Sequence, residues 1–200
     1  MHGNAARALD PLFPGLREEV VEGYRNAPPT MVAEVLGGEL VLHPRPRRRH
    51  GTAASRLGGR LAPFDDPGAN DPGGWVILDE PELHLGARPD IVVPDLAGWR
   101  RERITDGFLD EDDGLALPPD WVCEVLSPST EATDRGRKMD VYLRESVGHA
   151  WLVSPAARTL EVFRSTGAGW LRVTAYEGDA KVRAEPFGAV ELDLARLWSI

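Results

Sequence analysis

Two carboxylates and a lysine carry the chemistry that this chain's residue types can support. Glu124 lies in WVCEVLSPST, residues 121 to 130, embedded in a strand-like apolar run of Trp121, Val122, Cys123, Val125 and Leu126. Asp95 lies in IVVPDLAGW, at the boundary of a second apolar run, and Lys138 and Tyr142 follow in DRGRKMDVYLRE. An ionised carboxylate among apolar neighbours is costly unless a metal, a cation or hydrogen bonds compensate it. Hard cations take oxygen ligands, and magnesium is typically held by one or two carboxylates plus waters and a substrate phosphate. Asp95, Glu124 and the Val125 carbonyl are therefore the candidate ligands of Mg2+ or Mn2+. A nearby lysine completes the parts needed for metal-assisted phosphodiester cleavage. On a helix, Lys138 and Tyr142 share a face with Arg135. Aimed at the carboxylates, Lys138 would stabilise phosphate charge and orient or deprotonate an attacking water.

The elements that must position these groups are legible in outline. Residues 15 to 25 suggest a short helix, and MVAEVLGGELVLHP, residues 31 to 44, a hairpin turning at Gly37-Gly38. Residues 48 to 62 suggest a helix weakened by Gly58-Gly59, and residues 63 to 74 a loop. Short extended pieces follow in WVILDE, PELHL and IVVPDLAGW, with a polar, irregular stretch over 100 to 119. The Glu124 strand precedes a helix over roughly 130 to 145, with Ser129 or Thr130 as its N-cap and Gly148 beyond its end. AWLVSP, TLEVFR, WLRVTAYEG and VELDL read as closing strands. A mixed sheet flanked by helices is the packing this order predicts.

The chain has 200 residues, enough for one domain with a sizeable core, and its first 15 or so residues read as an arm. Its single cysteine excludes an intramolecular disulfide and any multi-cysteine zinc site. No run approaches the length of a membrane helix or a signal peptide, so a cytoplasmic location is expected. No Walker loop, GxGxxG or GxSxG element is present. The net charge of −9 argues against broad binding of nucleic acid through phosphate neutralisation. The arginines are clustered, however, at 45, 47, 48, 49, 56 and 60, while acids gather at Asp110 to Asp113 in what reads as a solvated loop.

EVLSPST followed by D…K…Y, GELVLHPRP with His50 close by, EPELHLG and PDLAGWRRER together resemble the Uma-type family of restriction endonucleases, within the PD-(D/E)XK nuclease superfamily. The resemblance runs from about residue 16 to Leu197-Trp198. It implies an α/β fold with a restriction-endonuclease-like core, a mixed central β-sheet flanked by helices, and an extra C-terminal antiparallel strand region. Asp95 matches the Asp of the PD motif and Glu124 the acid of the (D/E)XK motif. The superfamily lysine would stand at 126, where this chain has Leu126, and the resemblance moves it to Lys138. Pro89-Asp90 is a second PD pair; on one unbroken strand Asp90 and Asp95 would face opposite ways, so only one could join Glu124. Glu34 and Glu39 match acidic positions of the family's N-terminal hairpin, with Glu39 expected near the metal, and Glu80 or Glu82 is a further acidic candidate. Arg47, Arg48 and His50 are candidate DNA contacts.

The expected activity is a Mg2+-dependent deoxyribonuclease, with DNA as partner and a homodimer where two strands are cut. The absent lysine at 126 and the acidic net charge point the other way, to a nuclease-fold binding or assembly module without catalysis.

Overall fold

The structure, a computed structural model, describes residues 12–45, 47–108 and 114–199. The acidic loop at 110 to 113 and nearly all of the N-terminal arm lie outside the described residues. In chain order the first half runs α1 (Glu18–Arg25), β1 (Met31–Leu36), β2 (Glu39–Pro44), α2 (Arg48–Asp65), β3 (Trp75–Asp79), β4 (Leu83–Leu85), β5 (Asp90–Val92) and β6 (Leu96–Arg100). The second half runs β7 (Trp121–Val125), α3 (Glu131–Thr133), α4 (Met139–Arg144), β8 (His149–Ser154), β9 (Thr159–Ser165), β10 (Trp170–Glu177), β11 (Lys181–Val182), β12 (Leu192–Asp193) and α5 (Ala195–Trp198). A π turn, Asp134–Lys138, joins α3 to α4, so that residues 131 to 144 form one continuous helix.

The central sheet is mixed, with strand order β10-β9-β8-β7-β6-β3. Only β7 and β8 run parallel, and the helix over 131 to 144 is the crossover that parallel pairing demands. A second, smaller sheet has the order β2-β1-β5-β4, and β11 pairs with β12. Side chains alternate across β7 as a strand requires. Trp121, Cys123 and Val125 face α2 and α5 in a core with Leu57, Leu61 and Phe64. Val122 and Leu126 face the other way, into a core with Met139, Tyr142, Leu36, Leu83 and Val92. Glu124, two residues from each, is on this second face. On the outer side of the small sheet, α1 packs Val20 against Val35 and Ile91.

Several expectations change for physical reasons. The region IVVPDLAGW is two strands in two sheets, because Pro94 interrupts the ladder between β5 and β6. The second helix continues to Asp65 through Pro63, held by the buried stripe Ala53, Leu57, Leu61 and Phe64. Gly58 is the close approach of that helix to the sheet: a Cβ there would meet Asp79 Oδ1 at 3.3 Å and Leu96 at 3.5 Å. The hairpin turns at Gly37 and Gly38, both with positive φ as a tight two-residue turn needs. Its first strand is not buried on one face alone. Glu34, Val35 and Leu36 are all buried, because β1 is sandwiched between α1 and the central layer.

Candidate active site

Glu124 leaves β7 on the face covered by the helix over 131 to 144, and that helix returns a cation to it. Lys138 Nζ lies 2.9 Å from the Glu124 carboxylate, 3.1 Å from Glu34 Oε1 and 3.7 Å from Asp134 Oδ1, and donates to the Val93 carbonyl at 3.1 Å. Its side chain is only 4% exposed. Tyr142, fully buried, donates its hydroxyl to Glu124 Oε1 at 2.5 Å. Asp134, Lys138 and Tyr142, four residues apart, all turn toward the sheet. Arg135 does not: it points outward to Glu131 and Glu161. The helical face expected to carry two cations and a phenol carries a carboxylate, one ammonium and a phenol. The π turn falls within this stretch, a distortion often found at functional sites.

Asp95 comes from the segment joining the two sheets. The register Leu96↔Cys123 places it opposite Glu124, and residues directly opposite share a face of the sheet. Its Oδ2 accepts from the Val125 N–H at 2.6 Å and its Oδ1 lies 3.1 Å from His50 Nε2. Asp90 is elsewhere. It accepts from the Gly37 N–H and from Arg144 at 2.6 Å, tying the hairpin turn to α4. Two ladders, not one unbroken strand, separate these aspartates.

A cavity of about 230 Å3 gathers Glu34, Asp95, Glu124, Asp134, Lys138 and His50 at its base. His43, Arg45, Arg47, Glu80 and the turn Ser127–Thr130 line it too. Arg45 and Arg47 are exposed. Glu34 is the residue that sequence reasoning undervalued. It is 2% exposed and holds both the Val93 N–H, at 2.8 Å, and Lys138. The signal was present: a carboxylate inside an apolar strand, the same argument that singled out Glu124. Glu39, expected near the metal, is displaced instead to the hairpin end of edge strand β2, 69% exposed and paired with Arg137 at 3.1 Å. His50, expected as a DNA contact, is buried on Asp95, while Arg48 is exposed outside the cavity lining. Glu80 reaches the cavity, whereas Glu82 pairs with His84 at 2.7 Å.

The electrostatics follow from crowding carboxylates out of water. Burial pushes Glu124 well above the usual carboxylate range; Lys138 opposes this, and Asp134, Asp95 and Glu34 add to it. Burial raises Asp134 against the pull of Lys138 and a hydrogen bond from Thr130. For Lys138 burial acts downward, but Glu124, Tyr142, Glu34 and Asp134 outweigh it and keep the group an ammonium. Burial likewise acts downward on His50, and its bond and charge pairing with Asp95 turn the net shift upward. The cavity thus sets one buried ammonium beside four carboxylates.

The fold is shared with a solved structure. A crystal structure of a protein described as "a putative nuclease belonging to DUF820" from Anabaena variabilis superposes with a TM-score of 0.66 over 84% of this chain and 89% of that one, at 21% identity. No curated protein matches the sequence. The model of the Uma2 family, described as "Putative restriction endonuclease", matches residues 17–195, and the chain belongs to that family. No described helix is long and apolar enough to cross a membrane.

Proposed function

We propose that this chain is a divalent-metal-dependent deoxyribonuclease in which Asp95, Glu124 and the Val125 carbonyl hold Mg2+ or Mn2+ and Lys138 serves the attacking water. One observation carries the reading. The lysine missing from position 126 is replaced by one that reaches Glu124 at 2.9 Å, at the base of the cavity that Asp95 also lines.

The donor set fits a hard cation. Asp95 uses one acceptor position of each oxygen on protein donors, and a carboxylate has about four lone-pair positions. Extending the β6–β7 register two steps beyond Leu96↔Cys123 puts Pro94 opposite Val125, and proline has no N–H to give. In a ladder the N–H and C=O of one residue point to the same neighbour. The Val125 carbonyl thus faces the Asp95 side, with no ladder donor. Among the described residues no three His, Cys, Asp or Glu side chains could hold an ion together. With two carboxylates proposed as ligands, water and phosphate would complete the coordination of a magnesium ion.

When bound, the ion would polarise the scissile phosphate and acidify water. The chain's own groups do the rest. Glu34, Asp134 and Val93 fix the Lys138 ammonium so that it orients the nucleophile and faces developing phosphate charge. Tyr142 fixes Glu124. Arg45 and Arg47, with Arg48 and Arg49 beside them, offer charge to a DNA backbone.

The test is cleavage of plasmid and single-stranded DNA with Mg2+, Mn2+ or chelator, wild type beside Glu124→Ala and Lys138→Ala. Both variants are expected to lose roughly 100-fold or more; equal activity in all three rejects the assignment. A second reading, a nuclease-fold module that binds without cutting, draws on Glu124 already having both oxygens bonded by Lys138 and Tyr142. Calorimetric titration with Mg2+ separates them, since DNA binding with no metal affinity favours the module.

A further inference from the structure

We propose that His50 is a positioning residue, whose Nε2–H holds the Asp95 carboxylate in the orientation that presents its free lone pairs to the cavity. The inference rests on the metal-site reading above and adds a residue that reading does not require.

Three observations converge. First, the two Asp95 oxygens are divided between two nitrogens from different layers: Oδ2 takes the Val125 N–H at 2.6 Å and Oδ1 faces His50 Nε2 at 3.1 Å. A carboxylate gripped at both oxygens has lost rotation about its terminal torsion, which is otherwise broad. Second, the ring is 9% exposed and its Nδ1 is buried with no hydrogen-bond partner in the protein. A buried histidine there for stability would have both nitrogens satisfied, because an orphaned polar atom is destabilising. Here the ring's one ion-pair contact among the described residues goes to Asp95. Third, His50 heads the buried stripe of α2 that continues through Ala53, Leu57, Leu61 and Phe64. The other members of that stripe are apolar and pack on the far face of the central sheet. A polar residue at its N-terminal end, where the stripe reaches the cavity, breaks an otherwise apolar pattern only where Asp95 lies. The helix supplies rigidity and the ring supplies the donor.

The same stripe makes the test clean. Leucine suits an apolar helical stripe, so His50→Leu is expected to fold, whereas glutamine can bring an amide N–H to the place of Nε2. Mn2+ affinity measured by calorimetry is expected to fall about 10- to 100-fold in His50→Leu, the range for losing an outer-shell partner of a ligand. His50→Gln should recover to within about 3-fold of wild type on the same scale. Urea unfolding of both variants, run in parallel, reports whether each is folded. Nitrogen-15 NMR of the metal-free protein gives a readout that involves neither metal nor activity: the ring is expected to carry its proton on Nε2. Wild-type Mn2+ affinity in folded His50→Leu, or a ring without a proton on Nε2, overturns the inference and leaves the metal-site reading standing. Wild-type protein that binds neither Mn2+ nor Mg2+ overturns both. If His50→Leu unfolds, failure of folded His50→Gln to bind Mn2+ like wild type overturns the inference.

Discussion

Lys138→Met is the perturbation that most directly tests the buried charge cluster. In the wild type one ammonium contacts Glu124 at 2.9 Å, Glu34 at 3.1 Å and Asp134 at 3.7 Å, and its side chain is 4% exposed. Methionine keeps the length of the side chain and removes the charge, leaving three carboxylates with no buried cation. Removing one partner of a buried ion pair typically costs about 3–5 kcal/mol. With a urea m-value of about 2–3 kcal/mol/M, that is a midpoint shift of roughly 1–2.5 M. The cost should grow with pH. Glu124 and Asp134, already raised chiefly by burial, can take up protons at low pH and so avoid being buried unpaired and ionised. Urea unfolding at pH 8 and pH 5 is the assay, with Glu124→Gln and the double variant completing a cycle. The double variant should be less damaging than the sum of the singles by at least about 1 kcal/mol, because the charge that Lys138 neutralises has also gone. Additive costs, or a loss at pH 8 under about 1 kcal/mol, would refute the view that this lysine is the cluster's counter-ion.

Tyr142→Phe removes a 2.5 Å hydrogen bond to a buried carboxylate without creating a large cavity, and should cost about 1.5–3 kcal/mol by urea unfolding. Asp90→Asn should destabilise by about 1–3 kcal/mol through its Arg144 and Gly37 contacts while leaving calorimetric Mn2+ affinity unchanged; Asp95→Asn should weaken that affinity, and the reverse pattern would reassign the ligand. The Glu124 carboxyl is raised by burial above its ordinary 4.5, so its contribution to stability is full below that value and is lost as pH rises through the folded value. Wild type should therefore lose stability relative to Glu124→Gln between pH 5 and 8, and Mg2+ binding near pH 6 should release protons, seen as buffer-dependent heats in calorimetry. Replacing Arg45 and Arg47 together by alanine should flatten the salt dependence of duplex binding by about 1.8 in log–log slope if each meets one phosphate, and an unchanged slope removes them from the interface.

Much of the fold was visible because it is local. The hairpin was written in Gly37-Gly38, the central strand in the apolar run around Glu124, and the crossover helix in the span from Ser129 to Glu145. The site was visible only in part. Glu124 stood out inside an apolar run and Asp95 at the boundary of another, Lys138 was matched to the superfamily lysine through the family resemblance, and the structure brings all three to one cavity. Glu34, between Ala33 and Val35, obeyed the same rule, while Glu39 lies on the other strand of the same hairpin beside Gly38. Parity and strand length cannot tell which end of a hairpin is covered. That depends on where the 131 to 144 helix lies, and it lies over Glu34. The choice between Asp90 and Asp95 was equally beyond a strand-period argument, because Pro94 divides the segment between two sheets.

By itself, then, the order of residues determined which groups are charged inside apolar segments and which segments are extended or helical, since both follow from neighbours a few positions apart. Only the three-dimensional packing decided that an ammonium from the crossover helix can stand in for a strand lysine, and that His50 leaves the solvent to grip Asp95. Each joins atoms that are distant in the chain: Lys138 is 14 residues from Glu124, and His50 is 45 residues from Asp95. Their separation in space is set by how α2 and the crossover helix pack on opposite faces of one sheet. No periodicity or propensity within either helix encodes that distance.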